Sequence, residues 1–489
     1  MLSHRVRESL VGLCSLSVTT ALAVGLAACG GSTAAQSQDD SGAAAVDGSA
    51  VDTGIAVEDS GATRDASGSR DAGADAGADA DAAGNDAAVA YPAFALDVPT
   101  IQNNGEAVLS APVFVTVTWA GDANATTFNT FGDQIGPSDY WKTINSEYGV
   151  GASTSGPTNH VSISTEGGFP ATLSDSDVDN LVAQNVANGT WPAPTRNTVY
   201  VVYLPKSTTF TFGGLDAGGV DACQTGVGGY HTQTTAGANQ VAYAVVPQCP
   251  SFQLNDIILS ASHEMNEAAT DPYPNSQNNG YQGFNDLSWE FFNFFQDELG
   301  DACEMYSWAA VTTTEPNFAY NVQRQWSNKA SLAGHEPCVP ALAEPMYNTT
   351  FLHQGDAGVS TQLDTITANL SPMGQGYPSS VPGRGFKVAL NQSVTFPIGL
   401  YSDQPTSAPW TLDVWGATNP IGQDQNGNPI NNGTATVTFS KSTGQNGDIV
   451  DVTVTPTAYS TLNVTLVTIR SVLPGATAHH YLPILIAPN

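Results

Sequence analysis

Apolar residues are distributed in three different ways along this chain. From Leu10 to Leu26 they form one predominantly apolar run behind Arg5 and Arg7, ending in small residues and giving way at once to a polar stretch. That layout predicts a secretory signal over residues 1–28, too short in its apolar core for a transmembrane span. From residue 29 to 90 apolar side chains larger than alanine are almost absent. From Tyr91 onward two periodicities begin. The β-branched and aromatic runs Pro112–Trp119, Thr198–Leu204 and Gln240–Val246 predict strands. Between the first two, Ser174 or Ser176 caps a predicted helix through Val178, Leu181 and Val182. A second helix starts at Asn255 or Asp256 and ends before Pro272, with Ile258, Ala261, Met265 and Ala268 on its buried face. Strands mixed with helices predict an α/β or α+β domain over 91–340. Beyond it, short runs at Val394–Ile398, Thr434–Phe439, Val450–Thr455 and Leu462–Val467 are separated by Gly, Pro, Asn and Ser. They predict an all-β sandwich over 345–489, an accessory module for binding or spacing.

Charge alters the picture at the N-terminal end. The chain carries a formal charge of -32, which argues against nucleic acid or an anionic membrane face as partner, since both need basic patches. Part of that charge lies in the Ala/Asp/Gly-rich stretch 29–90, which cannot bury enough surface to offset the entropy of ordering. It is expected to be a disordered tether, extended by carboxylate repulsion. The sequence Leu26-Ala27-Ala28-Cys29-Gly30 resembles the lipobox of bacterial lipoproteins. The resemblance implies cleavage before Cys29, lipidation of its thiol, and an exported protein anchored to a bacterial membrane, facing the periplasm or cell exterior.

Cys223, Cys249, Cys303 and Cys338 all fall in the first folded region. Export permits disulfides. Cys223 with Cys249 and Cys303 with Cys338 each close a modest loop, and the lack of a close Cys-x-x-Cys pair argues against a four-cysteine zinc site.

The chemistry concentrates on the second helix. His263 and Glu267, four residues apart, stack one turn above the other and can reach one metal ion. The spacing resembles the His-Glu-x-x-His helix of zinc metallopeptidases, with Glu267 standing where that motif has its second histidine. A carboxylate remains a legitimate zinc ligand, though oxygen donors shift preference toward harder divalent ions. Downstream, Glu298 and Asp301 resemble in outline the third glutamate ligand and the nearby aspartate of thermolysin-like peptidases. That implies a zincin-like domain in which Glu298 completes the site and Asp301 orients His263, the reverse assignment being open and Asp271 a further candidate.

A wider resemblance covers several short motifs in order. Cys223 precedes Gly229-Tyr230-His231; Gln248-Cys249-Pro250 follows; then come His263-Glu264, Glu267 and Thr270-Asp271-Pro272, and finally Glu298-Leu299-Gly300-Asp301-Ala302-Cys303. The series resembles the plant Exordium, or phosphate-induced, family of secreted proteins, here on a bacterial-type lipoprotein. That family is better known for cell-wall-associated effects on growth than for a defined reaction.

Two functions follow as expectations. The first is a tethered extracytoplasmic hydrolase, most simply a zinc metallopeptidase. One zinc or another divalent ion is held by His263, Glu267 and Glu298, and Glu264 is the general base. His231 is an additional ligand or a donor to the transition-state oxyanion, and the substrate is a peptide or cell-surface polymer. The second is a non-enzymatic surface or wall-binding protein with a structural metal or none. The aromatic stretch Trp289–Phe295 is expected in the core, and His479-His480 at the surface.

Overall fold

Runs of valine, tyrosine and threonine build strands where burial on both faces rewards them, and β-structure dominates the chain. The computed structural model describes residues 90–489 apart from 167, 213–219, 277, 296–297, 374–380, 417–419 and 425–427. The predicted signal segment, Cys29 and nearly all of the expected tether lie outside the described residues. Among the described residues no helix is long and apolar enough to cross a membrane.

The first layer is a five-stranded sheet of β1 (Val113–Trp119), β2 (His160–Ile163), β3 (Thr198–Leu204), β4 (Tyr230–Ala236) and β5 (Asn239–Pro247), in the order β2-β1-β3-β5-β4. Neighbours run parallel except β5 and β4, an antiparallel hairpin that leaves β4 at the edge. Helices α1 (Ala125–Ile135), α2 (Asp139–Asn145), α3 (Asp175–Ala187) and α4 (Leu254–Thr270) cover the sheet. On one face Phe128, Phe131, Trp141 and Met265 from α1, α2 and α4 pack with Val199, Val201, Ala242 and Ala244. On the other, Val178, Val182 and Val186 of α3 meet Val115, Val117, Val202 and Val241.

Local signals explain where the helices begin. Ser174 Oγ accepts the Asp177 amide at 3.1 Å while Asp177 Oδ2 accepts the Ser174 amide at 2.8 Å, a reciprocal cap. Helix α4 starts earlier than the sequence suggests. Its cap is Gln253, whose amide donates to Asp256 Oδ2 at 2.8 Å, so Asp256 lies inside the first turn and reaches back. It ends at Asp271, whose backbone before Pro272 has left the helical region.

Three further elements, α5 (Leu287–Phe292), α6 (Asp301–Glu304) and β6 (Asn321–Gln323), lead to the second β-layer. Its strands are β7 (Tyr347–Phe351), β8 (Asp364–Ile366), β9 (Gly383–Lys387), β10 (Val394–Ser402) and β11 (Trp410–Trp415). The remainder are β12 (Thr434–Phe439), β13 (Thr443–Gly444), β14 (Ile449–Ala458), β15 (Thr465–Val472) and β16 (His480–Ala487). Two sheets, β7-β10-β14-β12 and β8-β9-β16-β15-β11-β13, face each other across Phe396, Ile398, Val452, Trp410, Ile469 and Ile484. Alternating burial along β14 is the mark of strands with one face inward. The run expected from Leu462 becomes a strand only at Thr465. Asn463 adopts a left-handed turn conformation first, while Leu462 and Val464 stay buried.

A single core joins the regions on either side of Pro340. Phe284, Trp289, Phe291 and Phe292 pack with Trp326, Ile366, Leu466 and Leu485. The aromatic residues of α5 therefore fill a joint between layers, whereas Phe294, in the stretch expected in the core, is 38% exposed. His480 corrects an expectation. The first residue of β16, it is buried, edge-on to Tyr347 at 4.9 Å, because strand register turns it inward while His479 stays partly exposed.

Candidate metal centre

Alternation along β4 sends Tyr230 and His231 to opposite faces. Tyr230 stacks on Phe210, and His231, opposite Ala244 in the hairpin, faces the side that α4 covers. Helical spacing then brings His263, Glu264 and Glu267 of α4 toward it. All four are buried, with Glu267 only 2% exposed.

Glu267 is the hub. Its Oε2 lies 2.9 Å from His263 Nε2 and 3.6 Å from His231 Nδ1. Its Oε1 accepts the backbone amides of Gly300 at 3.0 Å and Asp301 at 3.2 Å. Gly300 is held in turn by β6, where Gln323 Nε2 donates to the Gly300 carbonyl at 2.8 Å and the Gln323 amide donates to Ser262 Oγ at 2.9 Å. Asp271 sits at the end of α4. Its carbonyl is 3.0 Å from His231 Nε2, and its Oδ1 accepts the Gly280 amide at 2.8 Å. A carbonyl only accepts, so His231 carries its proton on Nε2.

The two downstream carboxylates separate. Asp301 Oδ1 lies 3.6 Å from His263 Nε2, whereas Glu298 Oε1 lies 3.7 Å from His231 Nε2. The structure thus groups His263, Glu267 and Asp301 in one set and His231, Glu267 and Glu298 in another, each set bringing its ligand atoms within 4.8 Å. Glu264 Oε2 is 3.6 Å from His231 Nδ1, beside both sets. The sequence left open whether Glu298 or Asp301 stands beside His263. The path of the loop, pinned by the Gly300 hydrogen bonds, gives that place to Asp301.

Electrostatics follow from crowding carboxylates away from water. Burial pushes the Glu298 carboxyl well up, and the charges of Glu267, Asp271 and Asp301 add to the effect. Burial likewise raises Glu264 and Asp271 against the pull of His231. Burial alone would lower His263, but Glu267 and Glu264 outweigh it and hold the ring well above its ordinary range. His231 is raised in the same way by Glu264 and Glu267. Glu267 is lowered, burial being overcome by His263 first. The cluster favours bound positive charge.

Chemistry and packing both fit a divalent cation. Each set supplies one imidazole nitrogen and two carboxylates, donors that zinc and harder divalent ions accept. Glu298 Oε1 is buried with no hydrogen-bond partner among the described residues, an oxygen left for a ligand. Sequence reasoning missed the two glycines that make room. A Cβ on Gly300 would fall 2.7 Å from Glu267 Oε1 and from His263 Nδ1, and one on Gly229 would fall 2.7 Å from Glu264 Oε1. Both stand inside the motifs quoted above, beside His231 and Asp301.

Two disulfides, Cys223–Cys249 and Cys303–Cys338, flank the site. The first ties the segment entering β4 to the connection between β5 and α4. The second fastens α6, which begins with Asp301.

No family model matches the chain, and no curated protein matches it. Two solved structures show weak likeness. PapD-like domain 7 of human CEP192 is 13% identical, over 22% of this chain and 77% of that one, with a TM-score of 0.15. Domains 4 and 5 of the S-layer protein SbsC are 16% identical, over 36% of this chain and 89% of that one, with a TM-score of 0.14. Neither bears on the site.

Proposed function

We propose that this chain is a metal-dependent hydrolase of zincin-like chemistry, a peptidase working outside the cytoplasm and tethered through Cys29. One observation carries the reading: two histidines and a surplus of carboxylates converge on Glu267 in a buried cluster that leaves Glu298 Oε1 unpartnered. His263, Glu267 and Asp301 would hold a zinc or similar ion, which supplies Lewis acidity toward a carbonyl and a water of lowered pKa. Glu264 lies next to His263 on α4. With its raised affinity for a proton, it accepts one from the attacking water and returns it to the leaving amine. The His231 ring is positioned by the Asp271 carbonyl. The disulfides accord with an oxidising compartment, and the ordered motifs that resemble the Exordium family accord with export.

Burial of the same residues favours a second reading, a structural cation in a protein that binds a wall polymer or partner. One experiment separates them. The full chain is assayed for bound zinc and for cleavage of unstructured peptides, beside His263→Ala and Glu264→Gln. The hydrolase reading requires zinc in the wild type, lost in His263→Ala and kept in Glu264→Gln with turnover down at least ~100-fold. Zinc without turnover would select the structural reading, and a wild type that takes up neither zinc nor another divalent cation would end both.

A further inference from the structure

We infer that the cluster takes two divalent cations that share Glu267, an inference that rests on the metal-centre reading above. The two ligand sets have Glu267 in common and nothing else, and the two histidines belong to different sets. Glu267 is built to be shared. Its Oε1 is spent on the Gly300 and Asp301 amides, which fixes the carboxylate plane and turns Oε2 toward His263 Nε2 on one side and His231 Nδ1 on the other.

The second set has the features of a ligand site. His231 gives its Nε2 proton to the Asp271 carbonyl at 3.0 Å, so in the neutral ring the lone pair is on Nδ1, facing Glu267 Oε2 at 3.6 Å. Donation of the distal ring proton to a backbone carbonyl is how metal-bound imidazoles are commonly oriented. The 3.6 Å gap exceeds a hydrogen bond and is close to the ~3.4 Å that separates two ligands placed tetrahedrally at zinc distances. Glu298, 8% exposed, presents the unpartnered Oε1 3.7 Å from the Nε2 edge of this ring, and a ring nitrogen of His231 and carboxylate oxygens of Glu267 and Glu298 lie within 4.8 Å of one another.

Charge points the same way. Glu264, Glu267, Asp271, Glu298 and Asp301 surround two imidazoles with little access to water. Fully ionised, these five carboxylates would carry more negative charge than one divalent cation offsets, and two cations would nearly balance it. Paired cations ~3.5–4 Å apart, bridged by a carboxylate, are a known arrangement for hydrolysis.

The test is a titration of the full metal-stripped chain with manganese(II) alone, followed by electron paramagnetic resonance and by elemental analysis after gel filtration. The wild type is expected to retain two manganese ions per chain and to show the spectrum of a spin-coupled pair. His231→Ala and Glu298→Gln should each retain one ion with an uncoupled spectrum, near-ultraviolet circular dichroism confirming that they fold. A wild type that saturates at one uncoupled ion overturns the second cation and leaves the hydrolase reading standing. A wild type that binds neither manganese nor zinc overturns both. Because the wild-type count decides, a variant that fails to fold does not obscure the result.

Discussion

The Gly300 amide donates to Glu267 Oε1 at 3.0 Å, and the methyl group an alanine would place there falls 2.7 Å from the same oxygen. Close approach of backbone to carboxylate is therefore a condition of the site, met by glycine alone. Gly300→Ala should push Glu267 and His263 apart, lowering zinc affinity at least ~10-fold and stability by about 1–3 kcal/mol, the usual cost of overpacking. Competition with a chromophoric chelator measures the first and urea unfolding the second. Unchanged zinc affinity would show that Glu267 is not held through this contact.

The disulfides lie apart from the proposed cation site. Cys303–Cys338 closes a separation of 35 residues, for which the chain-entropy account gives a stabilisation of about 3–4 kcal/mol. Because α6 carries Asp301 only two positions before Cys303, loosening it should also be felt at the site. The double substitution Cys303→Ser with Cys338→Ser is expected to lower the unfolding midpoint and weaken zinc binding together. Removal of Cys223–Cys249 should act instead on the segment before His231. Equal zinc affinity in all three proteins would exclude the coupling.

Much of the frame was legible in the sequence because it depends on local pattern. β3 and β12 begin and end where their β-branched runs do, and the face of α4 marked by Ile258, Ala261, Met265 and Ala268 is the face that packs. The cysteine pairing is the one that closes the modest loops, a choice the sequence favoured without fixing the connectivity. What stayed hidden depends on register and on contacts between distant segments. His479 and His480 are identical in type and adjacent, so only the register of β16 against β15 decides which is buried. The sequence left open which of Glu298 and Asp301 lies by His263; Gln323, on a later strand, fixes the Gly300 carbonyl and with it the place of Asp301. Nothing in the local spacing of those carboxylates encodes that contact.

Glu336 and His480 make an opposed pair, 3.7 Å apart and buried. Burial pushes Glu336 up to about 8, against the Cys338 amide and Arg324. Burial pushes His480 down to about 3. Glu336, raised above its ordinary 4.5, gives stability that is full below that pH and is lost as pH rises through 8. His480, depressed from 6.5, gives stability that is full above that pH and is lost as pH falls through 3. The two slopes cancel between 4.5 and 6.5, so the decline belonging to Glu336 alone emerges above 6.5. Glu336→Gln should remove that decline, a gain over the wild type approaching ~1.4 kcal/mol per pH unit up to pH 8. Urea unfolding of both proteins at several pH values checks it, and parallel curves would reject the assignment.

Phe292 on α5 packs edge-on to Trp415 at 5.6 Å and lies 5.1 Å from Tyr481, so one side chain links the helix to β11 and β16. The surrounding core draws Phe284 and Trp326 from one side of Pro340 and Leu466 and Leu485 from the other. If this joint couples the layers, neither layer can unfold while the other keeps its share of the buried surface. Truncating a buried phenylalanine costs about 3–5 kcal/mol. Phe292→Ala should therefore move the whole unfolding curve. Tryptophan fluorescence and far-ultraviolet circular dichroism should give coincident transitions in the wild type and shift together in the variant. Two separated transitions, with only one displaced by the substitution, would show instead that the sheet with its helices and the sandwich are independent folding units that meet after each has formed.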